Sequence, residues 1–63
     1  MYSLSQKVTI SSAGRFKGTK GTIVEIFPQG EMDDEIVYMV EYIGILSNGK
    51  GMFKHSELVC LNN

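Results

Sequence analysis

The sequence predicts an all-β fold, five short strands closing into a small barrel with a short 3₁₀ turn before the last strand. Three observations carry this expectation. Polar and apolar residues alternate with a period of two over Lys7-Val8-Thr9-Ile10 and over Tyr38-x-Val40-x-Tyr42, as they do in a strand with one face buried. Glycine punctuates the corners at Gly14, Gly18, Gly21 and Gly44. No stretch shows the period of about 3.6 residues that a long amphipathic helix requires. The 63 residues make one domain, 1–63.

Taken in order, Lys7–Ile10 reads as a half-buried strand with Val8 and Ile10 inward. Ser11-Ser12-Ala13-Gly14 breaks the pattern and opens a loop to about Gly21. Thr22–Phe27 is the second strand, and Gly21 before it marks a bend or a close backbone approach. Ile23 and Ile26 stand three apart, so strict alternation cannot bury both, and a bulge near Val24 or Glu25 resolves the conflict. Pro28 has no N–H to give a ladder and ends the strand. Gln29–Glu35 carries Gly30 and the acids Glu31, Asp33, Asp34 and Glu35, which reads as an exposed hairpin loop. Ile36–Ile43 is the third strand, with Tyr38, Val40 and Tyr42 on the inner face because the opposite face holds the charge of Glu41. The tyrosine hydroxyls then need partners or must reach the rim. Ser47-Asn48-Gly49 signals a turn, Gly51–Lys54 a short fourth strand with Phe53 inward, Ser56-Glu57 a helical or 3₁₀ turn, and Leu58–Leu61 the fifth strand.

Composition narrows the function classes. A chain this short buries only about 60% of the surface it exposes when unfolded, which leaves no room for a large enclosed active site. Cys60 is the sole cysteine; it reads as a small buried hydrophobe in the last strand, and without a second cysteine a reducing cytoplasm is the expected compartment. The first ten residues contain no apolar core of a secretory signal, and no apolar run is long enough to span a bilayer. Net charge is −1, which disfavours a dedicated nucleic-acid protein, yet the charges are segregated. Lys7, Arg15, Lys17 and Lys20 precede residue 25 with no acid among them, whereas the acids cluster at 31–35. A basic side and an acidic loop are therefore expected.

Motifs for chemistry are weak. His55 and Cys60 fall short of the four ligands of a structural zinc site. Glu31-Met32-Asp33-Asp34-Glu35 lacks the alternating ligand positions and central glycine of a calcium loop, so it reads as solvated. No Ser/His/Asp or Cys/His set is evident. No enzyme, metal, cofactor or small-molecule substrate is expected. The binding candidates are Arg15, Lys17 and Lys20 with Phe16 between them, since cations meet phosphate or acidic side chains while an aromatic stacks on a base or fills a pocket. Phe16 has a second reading as a cap on the open end of the barrel. Lys7 joins the set as a further cation.

Val8-x-Ile10 followed by Phe16-Lys17-Gly18-Thr19-Lys20-Gly21-Thr22-Ile23, with Ile26 beyond, resembles the KOW motif of SH3-like barrels, found in NusG-type elongation factors and several ribosomal proteins. Tyr38-x-Val40-x-Tyr42 and Phe53-Lys54-His55-Ser56-Glu57-Leu58 are similar to the third strand and last turn of other small SH3-like barrels, among them an accessory subunit of photosystem I. The resemblance covers about residues 6–61 and implies a stand-alone bacterial or phage domain in which Lys50, Lys54 and His55 extend the basic side toward Arg15. The chain departs from RNA-binding KOW domains in being less basic, and from peptide-binding SH3 domains in having no Trp. Two functions follow as expectations. One is an adaptor that docks on and modulates a larger protein complex. The other is a KOW-like nucleic-acid-associated protein near RNA polymerase or the ribosome.

Overall fold

Strands form where the alternation places them. In the computed structural model, which describes residues 1–12, 14–43 and 48–60, β1 is Lys7–Ile10, β2 Lys20–Phe27, β3 Val37–Ile43, β4 Asn48–Lys54 and β5 Leu58–Cys60, with a 3₁₀ turn at His55–Glu57 between β4 and β5. All pairings are antiparallel and the strand order is β4-β3-β2-β1-β5.

One face of the sheet carries the core. Val8 and Ile10 of β1, Ile23 of β2, Tyr38 and Val40 of β3, Phe53 of β4 and Leu58 of β5 are buried together. Half-buried Tyr2, Phe16, Ile26, Ile36 and Tyr42 pack around them. Full burial of each such side chain contributes about 1.5–3 kcal/mol against the entropy of ordering it. The β2–β3 register jumps between Ile23 and Glu25. Val24 is the extra residue, 40% exposed, and the jump lets Ile23 and Ile26 both face the core. Gly21 pairs with Val8 on one side and Tyr42 on the other. A Cβ on Gly21 would stand 2.5 Å from Val40 Cγ1 and 2.9 Å from the Glu41 carbonyl oxygen, so the glycine serves a close approach of strands.

The sheet is open, which corrects the expected closed SH3-like barrel. β4 pairs only with β3 and β5 only with β1, and among the described residues no ladder joins the two edge strands. The connection between them explains this. A hairpin would fold β5 back along β4, but the 3₁₀ turn is pinned to other elements: the His55 amide donates to the Ile36 carbonyl at 2.9 Å, and the Glu57 carbonyl accepts from the Ser11 amide at 2.8 Å. The chain is thereby handed from the β3 side of the sheet to β1, and β5 lies beside β1. The alternation and glycines shared with KOW domains specify strands and corners, and they do not specify closure, so the KOW and SH3-like resemblance does not carry over to this chain.

Three local expectations also change. Asn48 and Gly49 belong to β4, paired with Ile43 and Tyr42, instead of forming a turn; Ser47 of that expected turn, like Leu61 of the fifth strand, lies outside the described residues. Cys60 is exposed, because it sits at the end of an edge strand, where its Sγ accepts a hydrogen bond from Gln6 Nε2 at 3.2 Å. β2 starts two residues early, at Lys20.

Candidate interaction site

The loop that follows β1 is fixed at its base by the ladder and at its tip by an aromatic ring. The Ile10 amide donates to the Thr19 carbonyl at 2.8 Å and the Gly18 amide to the Ile10 carbonyl at 2.7 Å, continuing the β1–β2 pairing into the loop. Gly18 takes a φ of 86°, a left-handed conformation open to glycine at no steric cost. Between these ties the chain turns with the Lys17 amide on the Gly14 carbonyl and the Thr19 amide on the Phe16 carbonyl. Phe16 points back to the core: its ring centroid is 5.1 Å from that of Tyr42 and 5.9 Å from that of Phe53, edge-on to the latter. Arg15 lays its guanidinium carbon 5.1 Å from the Phe16 ring centroid, a cation–π arrangement. Arg15 and Lys17 are exposed on either side. Phe16 thus covers the β3–β4 side of the core while flanked by two exposed cations.

The other candidate residues divide into separate groups. Lys7 and Lys20 are exposed on the face of the sheet opposite the core, where Lys7 Nζ donates to Thr22 Oγ1 at 2.9 Å. Lys50 lies on that same outer face, directly across from Glu41. Lys54 is turned to the acidic loop, its Nζ 3.5 Å from Asp33 Oδ2. His55 is half-buried in the 3₁₀ turn that follows β4. Its Nδ1 is 3.1 Å from Tyr38 Oη and its ring stacks on Tyr2 at a centroid distance of 4.8 Å. The structure therefore brings Arg15, Phe16 and Lys17 together and sets Lys54 and His55 apart from them.

The group at His55 was visible in the sequence only as a requirement. Tyr38 is completely buried, and its hydroxyl meets that requirement by accepting from the Tyr2 amide at 3.0 Å and bonding His55. Tyr2 Oη in turn donates to the Leu58 carbonyl at 3.1 Å. Burial, with smaller contributions from Cys60 and Tyr38 nearby, raises the Tyr2 hydroxyl above the usual phenol range. Nothing in the sequence linked Tyr2 to Tyr38. A shallow groove beside this group is lined by Met1, Gln29, Asp34, Glu35, Ile36 and His55.

The acidic loop is exposed at Glu31, Met32 and Asp34 but anchored at two carboxylates. Glu35 accepts from the Ser56 amide and hydroxyl, each at 3.0 Å. Asp33 accepts from the Asp34 amide at 2.7 Å and the Glu35 amide at 3.4 Å. Partial desolvation pushes the Asp33 carboxyl up, but those amides and the Lys54 ammonium outweigh it and hold the group below the usual carboxylate range. A carboxyl whose pKa falls on folding gives stability that is complete above its unfolded value and lost as pH drops through its folded value. Asp33→Asn should therefore lower the melting temperature at neutral pH and converge with the parent protein on the acid side, a comparison made by thermal melts from about pH 2 to about pH 7. Parallel curves would show that Asp33 contributes no pH-dependent stability.

Among the described residues no three His, Cys, Asp or Glu side chains are placed to hold a metal ion, and no helix is long and apolar enough to cross a membrane. Set against known proteins, the chain matches no family model, no curated protein and no solved structure.

Proposed function

We propose that this chain is a small non-enzymatic binding module of the cytoplasm that docks on a larger protein complex and modulates it. The observation that supports this reading is the Arg15–Lys17 loop, in which an aromatic anchored on Tyr42 and Phe53 carries the Arg15 guanidinium on its ring and the exposed Lys17 next to it in the chain. A preset loop loses little entropy on docking, and its charges speed the encounter with an acidic partner surface. The test is a pull-down from lysate with and without nuclease, using the parent chain, Arg15→Ala and Lys17→Ala. A partner that survives nuclease and is weakened by both variants is expected. Phe16→Leu serves as the fold control, because Phe16→Ala would open the core beneath the loop.

The second reading, a nucleic-acid-associated protein, is favoured by the exposure of Lys7 and Lys20 on the outer face in addition to Arg15 and Lys17. About four phosphate contacts on a single strand imply that affinity falls roughly 50-fold between about 50 and 200 mM salt. Capture that is lost on nuclease treatment, with a salt dependence of that size, would replace the protein-docking reading with this one.

A further inference from the structure

β4 is an edge of the sheet, and one hydrogen bond tells which of its backbone groups are free. The Lys54 amide donates to Glu57 Oε1 at 2.8 Å, so it points away from β3. Alternate residues of an antiparallel strand turn their N–H and C=O groups to the same side. The groups of Met52, Lys50 and Asn48 therefore also point away from β3, while Phe53, Gly51 and Gly49 make the ladder with Tyr38, Val40 and Tyr42. Among the described residues no backbone group meets that outward row.

Basic side chains flank the row on both faces, with Glu41 on the neighbouring strand directly across from Lys50. Lys50 projects on the outer face. On the core side the Arg15–Lys17 loop stands at the Gly49 end of the strand, because Phe16 packs on Tyr42 and the Tyr42 ring lies against Gly49. A second copy of this chain suits the row poorly. Antiparallel self-pairing through these groups sets Lys50 opposite the same lysine of the other copy, opposite its Lys54, opposite its Met52 with a lysine on each diagonal, or opposite its Asn48 with the other copy's Lys50 on a diagonal. Like charges so placed destabilise a strand pair. An extended segment bearing carboxylates has the opposite sign and the same backbone complement.

From this we infer that the β4 edge is the docking site for an extended acidic segment of a partner protein, added beside β4 through the main-chain groups of Asn48, Lys50 and Met52, with its carboxylates meeting Lys50, Arg15 and Lys17. The inference rests on the protein-docking reading above and supplies its mode and its partner chemistry. No helix, pocket or metal is needed: the main chain gives affinity and the cations select charge.

The experiment is a titration of the full ¹⁵N-labelled chain with the blocked peptide Glu-Glu-Val-Glu-Glu-Val-Glu, which carries carboxylates on both faces of an added strand, followed by amide chemical shifts. The largest shifts should fall on Asn48, Lys50 and Met52, and the same peptide with lysine in place of glutamate should give none. Lys50→Glu should weaken binding about tenfold. Met52→Pro removes one outward N–H from an edge strand, a position where proline is tolerated, and should abolish the shifts with the remaining spectrum preserved. Should that variant lose its fold, Lys50→Glu and the pattern of shifted amides decide. An equal response to the lysine peptide, shifts confined to other strands, or shifts of the same amides with protein concentration alone would overturn the inference. Retention of a nuclease-resistant lysate partner by both Lys50→Glu and Met52→Pro would overturn it while leaving the protein-docking reading in place.

Discussion

Gly21→Val is expected to leave the chain largely unfolded at room temperature. The new Cβ would meet Val40 Cγ1 at 2.5 Å and the Glu41 carbonyl oxygen at 2.9 Å, and the branched methyls would demand still more room. Val40 is completely buried and cannot swing aside, and the carbonyl belongs to the β2–β3 ladder. Forcing such groups into a packed interior typically costs about 1–3 kcal/mol, and more where backbone must shift. Native stability runs at roughly 0.05–0.15 kcal/mol per residue, on the order of 3–9 kcal/mol for a chain this short. The overlap therefore consumes much or all of the margin. Gly21→Ala should be intermediate, since it carries the first methyl only. Circular dichroism melts of the two variants make the check. A Gly21→Val protein that melts with the parent would mean that β2 and β3 are not this close at Gly21.

Val40→Asp should have an effect as large by a different route. Val40 is fully enclosed between Ile23 on β2 and Gly51 on β4. A carboxylate there is either an unpaired buried charge or a proton taken up against its ordinary pKa, and a buried charge without a partner costs about 3–5 kcal/mol. Glu41→Lys, one residue along, points to the other face between Thr22 and Lys50 and should cost less than about 1 kcal/mol, the scale of a like-charge pair across strands. Urea denaturation of both proteins is the measurement. If Val40→Asp were tolerated and Glu41→Lys were not, the face assignment of β3 would be inverted.

The contrast between these neighbouring positions shows what could be read from the sequence. Glu41 was the one charge in an otherwise apolar run, and period-two alternation converted it into an assignment of Tyr38 and Val40 to the core. The spacing of Ile23 and Ile26 called for a bulge, and Gly21 for a close approach, each a local conflict with a local solution. Edges were not legible, because strand periodicity is the same whether the outermost backbone groups meet a fifth neighbour or solvent. Hence the five strands were anticipated and the closure was not. Asn48-Gly49 carried a turn signal that the tertiary structure overrides: Gly49 lies flat under Tyr42, where a Cβ would come 2.8 Å from the tyrosine oxygen. At the candidate site the sequence marked Arg15, Phe16 and Lys17 as a group by their adjacency. It could not separate Lys54 and His55 from them, since the partners that claim those two, Asp33 and the Tyr2–Tyr38 pair, are distant in the chain.

The pairing of β1 with β5 ties the two ends of the described chain, and Tyr2 reaches the Leu58 carbonyl 56 positions away. β1, β2, β3 and β4 pair antiparallel with their neighbours in chain order, whereas the β1–β5 ladder can form only after nearly the whole chain has been gathered. The entropy of that closure is set by the separation and grows slowly with it, while the return comes from a strand of three residues. β5 therefore has no stability of its own. It borrows its order from the four-stranded meander of β1 to β4 already in place, which it extends as an edge strand.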